Sequence, residues 1–416
     1  MRNFKVGRLW GVLGKQQSYS GPTPPTGNKV PLNNNPMNSW DYKKSNYRRL
    51  DGRANAIQQG GAVPQDTPTP SPTPTPVQWV AGGSFETGYS YDATTWSAIT
   101  LANLTYYVAN DIVPNGSRWV STGVGYQPDF TGNTAISTYS DDGKIWYSGT
   151  SFRNLYGASS VTALSTNGTL WVAGISLTYD NIITNGRRAV TYSYDGINWS
   201  ACTITPSSGR VQPSSINDIT YGNGIFVGVG SSTGTTTTST RILISNDGIS
   251  WSGVNYNSVG SILSVSYGNG VFVAAQTTNS LSKIIVSNDG LNWSASTNAT
   301  NASLYGTSTS SPGTIRYFNG KFLGTFGSLS TIPTMTYSTD GFIWSASTSA
   351  DAIMNTARWQ ANNGSNQAII VGQTTGSTAG VYSTSDGVNY SQIVGNVNTI
   401  FTGSSMTCVS YKNPTY

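Results

Sequence analysis

Short runs rich in β-branched and aromatic residues, bounded by Gly, Asn, Asp or Ser, recur along the chain from about Gln78 to Tyr416. Ile225-Phe-Val-Gly-Val229 and Val271-Phe-Val-Ala-Ala275 are examples. Runs of this length and composition predict strands, and no stretch carries a convincing helical period. Each of these two follows a tight-turn signal, Tyr221-Gly-Asn-Gly224 and Tyr267-Gly-Asn-Gly270. Phe318-Asn-Gly320 is a third, and Asn115-Gly116, Asn167-Gly168 and Asn363-Gly364 are weaker versions. Asn-Gly favours a two-residue hairpin because both positions accept positive φ.

A second turn recurs with a longer signature. Ser90-Tyr-Asp-Ala-Thr-Thr-Trp96, Ser140-Asp-Asp-Gly-Lys-Ile-Trp146 and Ser193-Tyr-Asp-Gly-Ile-Asn-Trp199 align with Ser245-Asn-Asp-Gly-Ile-Ser-Trp251 and Ser287-Asn-Asp-Gly-Leu-Asn-Trp293. Ser338-Thr-Asp-Gly-Phe-Ile-Trp344 and Thr384-Ser-Asp-Gly-Val-Asn-Tyr390 complete the set. The aspartates Asp92, Asp142, Asp195, Asp247, Asp289, Asp340 and Asp386 are 42 to 53 residues apart. That period is the length of one four-stranded propeller blade. Each unit therefore reads as strand A, Asn-Gly turn, strand B, variable loop, strand C, Asp turn and strand D. The Asp and Ser side chains can bond turn amides, and the Trp offers a large apolar body for packing.

The two ends of this region complement each other. The first unit has a strand B, Trp79-Val-Ala81, with no strand A before it; the C-terminus has a surplus strand A, Met406-Thr-Cys-Val-Ser-Tyr411. Joining them predicts an all-β, seven-bladed β-propeller whose C-terminal strand closes blade one. Closure would hide a sheet edge that otherwise invites aggregation.

Composition changes the picture only at the N-terminus. The whole chain is 9% charged, with 47 glycines. Residues 1–76 hold ten Lys and Arg against three Asp, a net +7, whereas residues 77–416 hold 12 basic and 14 acidic residues, a net −2. Three segments follow: a basic arm over 1–60, a Pro/Thr-rich linker over 61–76 and the propeller over 77–416. Thr67-Pro-Thr-Pro-Ser-Pro-Thr-Pro-Thr-Pro76 favours an extended polyproline II spacer. The arm lacks apolar periodicity, so it is expected to run extended and to order on a partner. Trp10, Trp40, Tyr47, Arg48 and Arg49 are its expected anchors, because aromatic and Arg side chains dominate interfaces. Met1-Arg-Asn-Phe-Lys-Val-Gly-Arg8 has no continuous apolar core, which predicts no signal peptide. No apolar run is long enough to span a bilayer.

Candidate chemistry is sparse. The chain has no histidine, which removes His-based triads and imidazole metal sites. Its two cysteines, Cys202 and Cys408, are placed too far apart to bond and make no thiolate metal cluster. No cofactor or metal is expected. The repeated Asp boxes resemble those of the sialidase-type propeller family. The resemblance covers the scaffold and implies the fold. That family's activity needs an arginine triad, a tyrosine nucleophile and a glutamate; this chain has one glutamate, Glu86, in the blade-one B–C loop, and lacks the family's Arg-Ile-Pro element. A non-enzymatic protein is therefore expected, with a sialidase-like glycosidase as the distant alternative.

A basic arm, a proline spacer and a Ser/Thr/Asn/Gly-rich β-domain together resemble virion appendage proteins of tailed bacteriophages. The resemblance implies a virion-surface protein whose residues 1–60 hold a capsid, neck or tail protein while the propeller meets a host-surface glycan or protein. A secreted or cell-surface carbohydrate-binding adhesin is the main alternative; nucleic acid is not an expected partner, since no nucleic-acid motif accompanies the basic arm. The Asn-Gly and Asp turns share one face of the ring, and the B–C and D–A loops share the other. Variable loops on a rigid scaffold carry recognition, so Tyr126, Arg153, Tyr156, Tyr179, Arg187 and Arg188 are the expected binding residues.

Overall fold

The chain divides into residues Met1–Thr73 and Pro74–Tyr416. A computed structural model describes residues 75–412, apart from the segments 84–85, 127–133, 153–157, 178–188, 208–211, 232–239, 258–259, 278–283, 298–310, 328–333, 348–353, 363–366, 375–377 and 403–404. In chain order, Trp79–Gly83, Thr87–Ser90 and Trp96–Ala98 are β1, β2 and β3, followed by the short Thr100–Leu101, β4. Tyr106–Asn115, Arg118–Tyr126, Thr134–Ser140 and Ile145–Ser151 are β5, β6, β7 and β8. Ala158–Thr166, Trp171–Leu177, Val190–Ser193 and Ser200–Ala201 are β9, β10, β11 and β12, followed by Thr203–Thr205, β13. Ser215–Gly222, Ile225–Ser231, Ile242–Ser245 and Ser250–Gly253 are β14, β15, β16 and β17. Ile262–Gly268, Val271–Gln276, Ile284–Ser287 and Ser294–Ala295 are β18, β19, β20 and β21. Ser311–Phe318, Lys321–Gly327, Thr334–Ser338 and Ser345–Ala346 are β22, β23, β24 and β25. Met354–Asn362, Ala368–Thr374, Ala379–Thr384 and Ser391–Gln392 are β26, β27, β28 and β29. A four-residue helix, α1, covers Val397–Ile400, and Met406–Tyr411 is β30.

The protein is a β-propeller. Among the described residues the antiparallel pairings make seven four-stranded sheets, the first of them ordered β3-β2-β1-β30. A single bridge, Ser176 to Ser215, links the sheets led by β9 and β14. The leading strands neighbour one another around a closed circuit, from β30 to β5, β9, β14, β18, β22 and β26 and back to β30. Met406–Tyr411 pairs beside Trp79–Ala81 as expected, with Trp79 opposite Tyr411 and Ala81 opposite Val409. The core where the ends meet joins Trp79, Ala81, Met406 and Val409 to Ile369, Val371 and Val381 of the preceding sheet.

Local chemistry explains the hairpins. Asn223 and Gly224 have φ of 50° and 79°, and Asn269 and Gly270 have 49° and 79°. Two consecutive positive φ values are what a hairpin turn of this twist requires.

Two kinds of inter-sheet bond hold neighbouring blades in place. On the leading strands, Asn110 Nδ2 donates to the Val161 carbonyl at 2.7 Å, and Asn217 Nδ2 to that of Ile262 at 2.8 Å. Thr162 Oγ1 donates to the Ile216 carbonyl, and Thr407 Oγ1 to that of Ala109. On the outside, the connection leaving one sheet caps the outer strand of the next. β4 pairs in parallel with β8, and β13 with β17. Elsewhere side chains or single bonds replace the short strand. Asn396 accepts from Trp96 N–H and donates to Trp96 C=O, both at 2.8 Å, and Thr297 N–H donates to Phe342 C=O at 3.0 Å. These caps satisfy groups that an exposed edge strand would leave open. Neither they nor α1 was expected from the sequence pattern.

Candidate functional site

The repeated aspartates are the obvious carboxylates to examine, and their geometry assigns them to the turn. In the box at Ser245, the serine Oγ donates to Asp247 Oδ1 at 2.9 Å and accepts from Gly248 N–H at 2.8 Å. Asp247 Oδ1 also accepts from Ile249 N–H and Ser250 N–H at 2.8 and 2.7 Å. Trp251 Nε1 donates back to the Gly248 carbonyl at 3.0 Å. The Asp142, Asp289 and Asp340 boxes repeat the set. In the first box Ala93 replaces glycine and takes φ of 64°. Its buried Cβ joins the core instead.

These bonds hold the box carboxyls in their charged form. Partial burial pushes Asp92 and Asp195 up, but turn amide donors outweigh it and bring both down to about 2. A depressed native pKa contributes stability that is present above the unfolded value near 4 and lost as pH falls toward 2. The melting temperature is therefore expected to hold down to about pH 4 and then drop steeply toward about pH 2, as charged turns in every blade protonate together. Equal melting temperatures at about pH 2.5 and about pH 6 would contradict this role.

Among the described side chains, the leading strands carry three charged groups, Asp111, Asp218 and Arg316. Asp111 is fully buried; its Oδ1 accepts from Ile112 N–H and its Oδ2 from Leu164 N–H of the next sheet, both at 2.8 Å. Asp218 repeats this, with Ile219 N–H on Oδ1 and Val265 N–H of the next sheet on Oδ2. Its Oδ2 also takes Ser264 Oγ and Arg316 Nη1, each at 2.8 Å. Arg316 and Asp218 form a nearly buried ion pair. Burial pushes the Asp111 carboxyl up to about 8, against the pull of the Arg316 charge. These groups bond backbone across blade seams and present no free carboxylate face to a substrate. Glu86 Oε1 accepts from Thr402 Oγ1 at 2.6 Å. Among the described residues no cluster of three His, Cys, Asp or Glu could hold a metal. Cys202 and Cys408 are both buried, and their thiols donate to the carbonyls of Gly248 and Ala109.

Of the expected binding residues, Tyr126 is the last of β6, its backbone opposite Tyr106, at the end where the B–C loop begins. Arg153, Tyr156, Tyr179, Arg187 and Arg188 lie outside the described residues, as do Trp10, Trp40, Tyr47, Arg48 and Arg49 of the arm.

A polar-aromatic sector that the sequence reading did not single out spans the first three blades beside their Asp turns. Tyr89 and Tyr91 meet edge to face at 5.9 Å, with Lys144 of the next blade 5.5 Å from the Tyr91 ring. Tyr139 stacks on Tyr147 at 5.6 Å, with the Arg118 guanidinium 5.1 Å from the Tyr139 ring. Arg118 pairs with Asp141 at 2.7 Å and reaches the Asp195 carbonyl of the third blade. Tyr192 and Tyr194 meet edge to face at 5.8 Å. The signal was available: the residue after the box aromatic is Ser in six repeats and Tyr147 in one, and the residue before the box Asp is aromatic only at Tyr91 and Tyr194.

No family model matches the chain, and no curated protein matches it. Among solved structures it is similar to one described as YCF48 bound to D1 peptide, at 14% identity and a TM-score of 0.47, over 74% of this chain and 87% of that one. It is also similar to the GH74 enzyme of Niastella koreensis, at 15% identity and a TM-score of 0.28, over 75% of this chain and 52% of that one. The chain thus spans about half of that enzyme's length.

Proposed function

We propose that the protein is a non-enzymatic structural protein of a virion, held to a phage particle by residues 1–60 and displaying its propeller for binding to a host-surface glycan or protein. The observation that carries this reading is the division of charge: net +7 over residues 1–76 against −2 over residues 77–416, with a proline-alternating spacer between. A self-sufficient domain tethered to a basic, aromatic-bearing segment suits anchoring at one end and recognition at the other. The box aspartates and the seam carboxylates support it from the other side, because backbone amides hold Oδ1 of Asp247 and both oxygens of Asp111 and Asp218.

The test adds purified full-length protein, and separately the 77–416 propeller, to particles lacking this protein. Only the full-length chain is expected to attach, and its attachment should weaken as salt screens the basic arm. Equal attachment of the isolated propeller would overturn the arrangement.

A further inference from the structure

The repeat supplies its own control for what the fold requires. Four boxes manage with Asn246, Asn288, Thr339 or Ser385 before the aspartate, and six place Ser after the box aromatic. Tyr91, Tyr147 and Tyr194 depart from that pattern in three consecutive blades, and all three rings are exposed, at 38%, 39% and 60%. Exposed aromatic surface that the scaffold does not need is a mark of recognition.

We propose that this sector binds a neutral polysaccharide chain, with Tyr91, Tyr147 and Tyr194 as stacking platforms. The inference rests on the glycan-display reading above and gives it a place in the fold. Three features select this ligand. Each ring offers an apolar face with a hydroxyl at its tip, matching the alternation of C–H faces and hydroxyls on a sugar. The cations nearby are already engaged within the protein: Arg118 is paired with Asp141, and Lys144 lies against the tyrosine rings, while turn amides hold the charged Asp92 and Asp195 beside two of the rings. A neutral chain loses nothing there. The rings also fall one per blade in three consecutive blades, two before the box aspartate and one after the box aromatic, so an extended chain can meet them in turn. The position differs from the loop face named by the sequence, since these tyrosines flank the Asp turns.

The test is affinity electrophoresis of the full-length protein through gels containing dextran, mannan or arabinogalactan, beside a blank gel. At least one polysaccharide is expected to retard the wild type, equally at low and high salt. The triple variant Tyr91→Asn, Tyr147→Ser, Tyr194→Asn, which installs residues other boxes already use, should bind at least about tenfold more weakly. A Leu291→Ser, Ile343→Ser variant, altering exposed apolar residues of other blades, should run like wild type. Thermal melts check that both variants are folded. Undiminished retardation of the triple variant would overturn this site and leave glycan display standing. Retardation abolished by salt would overturn the neutral-ligand assignment. A wild type retarded by none of the three would overturn both this site and the glycan-display reading.

Discussion

Removal of residues 404–416 is expected to leave a chain that does not fold. The deletion takes β30, which supplies the leading strand of the first sheet. Its loss uncovers the whole β1 edge from Trp79 to Gly83, and buried backbone groups without partners are costly. It also removes Met406, Cys408 and Val409, all essentially inaccessible to solvent, and the Tyr411 ring 4.7 Å from Trp79. Thr407 no longer reaches the Ala109 carbonyl of the second sheet. An open ring then has two unpartnered blade faces and a free edge, the condition for aggregation. Expression should yield insoluble protein, or a soluble form without a cooperative melt. Removing residues 413–416 alone, which leaves β30 and the bond from Lys412 N–H to the Gln78 carbonyl, should change little.

Trp251→Ala is expected to cost about 3–5 kcal/mol, the range for large aromatic truncations in cores. The ring is buried to 1% exposure, lies 6.2 Å from the Phe226 ring and shares a core with Ile216, Ile219 and Leu243. Close packing is visible at Gly228, where an added Cβ would meet the indole at 3.3 Å. The substitution also deletes the bond to the Gly248 carbonyl. Denaturant titration of wild type and variant measures the difference. Trp293→Ala should cost less, because that ring is only half-buried. An unchanged midpoint for Trp251→Ala would contradict the structural role of the box aromatic.

Much of the fold was legible because its determinants are local and repeated. The Asp box is a turn whose bonds all fall within a few residues, so Ser245, Asp247, Gly248 and Trp251 announce it together. Asn223-Gly224 and Asn269-Gly270 do the same for the other hairpin. The terminal strand could be assigned because the first unit lacked a partner for Trp79–Ala81. What escaped depends on neighbouring blades. Nothing local marks Thr100–Leu101 or Thr203–Thr205 as strands; they pair only because another sheet offers its edge. Asn396 caps Trp96 from 300 positions away. Asp111, Asp218 and Arg316 read as ordinary charged residues until the ring brings Asp111 against β9, and Asp218 against β18 and the Arg316 guanidinium. Departures from the repeat were the overlooked clue: Tyr147 stands where its counterparts are Ser. The loop residues expected to bind are specified by no repeat, and only Tyr126 of them falls among the described residues.

Ring closure is the claim on which the rest depends, and amide hydrogen exchange across β30 tests it most directly. Cys408 and Ser410, whose amides alternate with Lys412 N–H along the side of β30 that faces β1, should exchange as slowly as Val273 and Ala274 in β19. Fast exchange throughout 406–411, as in a free tail, while β19 stays protected would contradict the closed propeller.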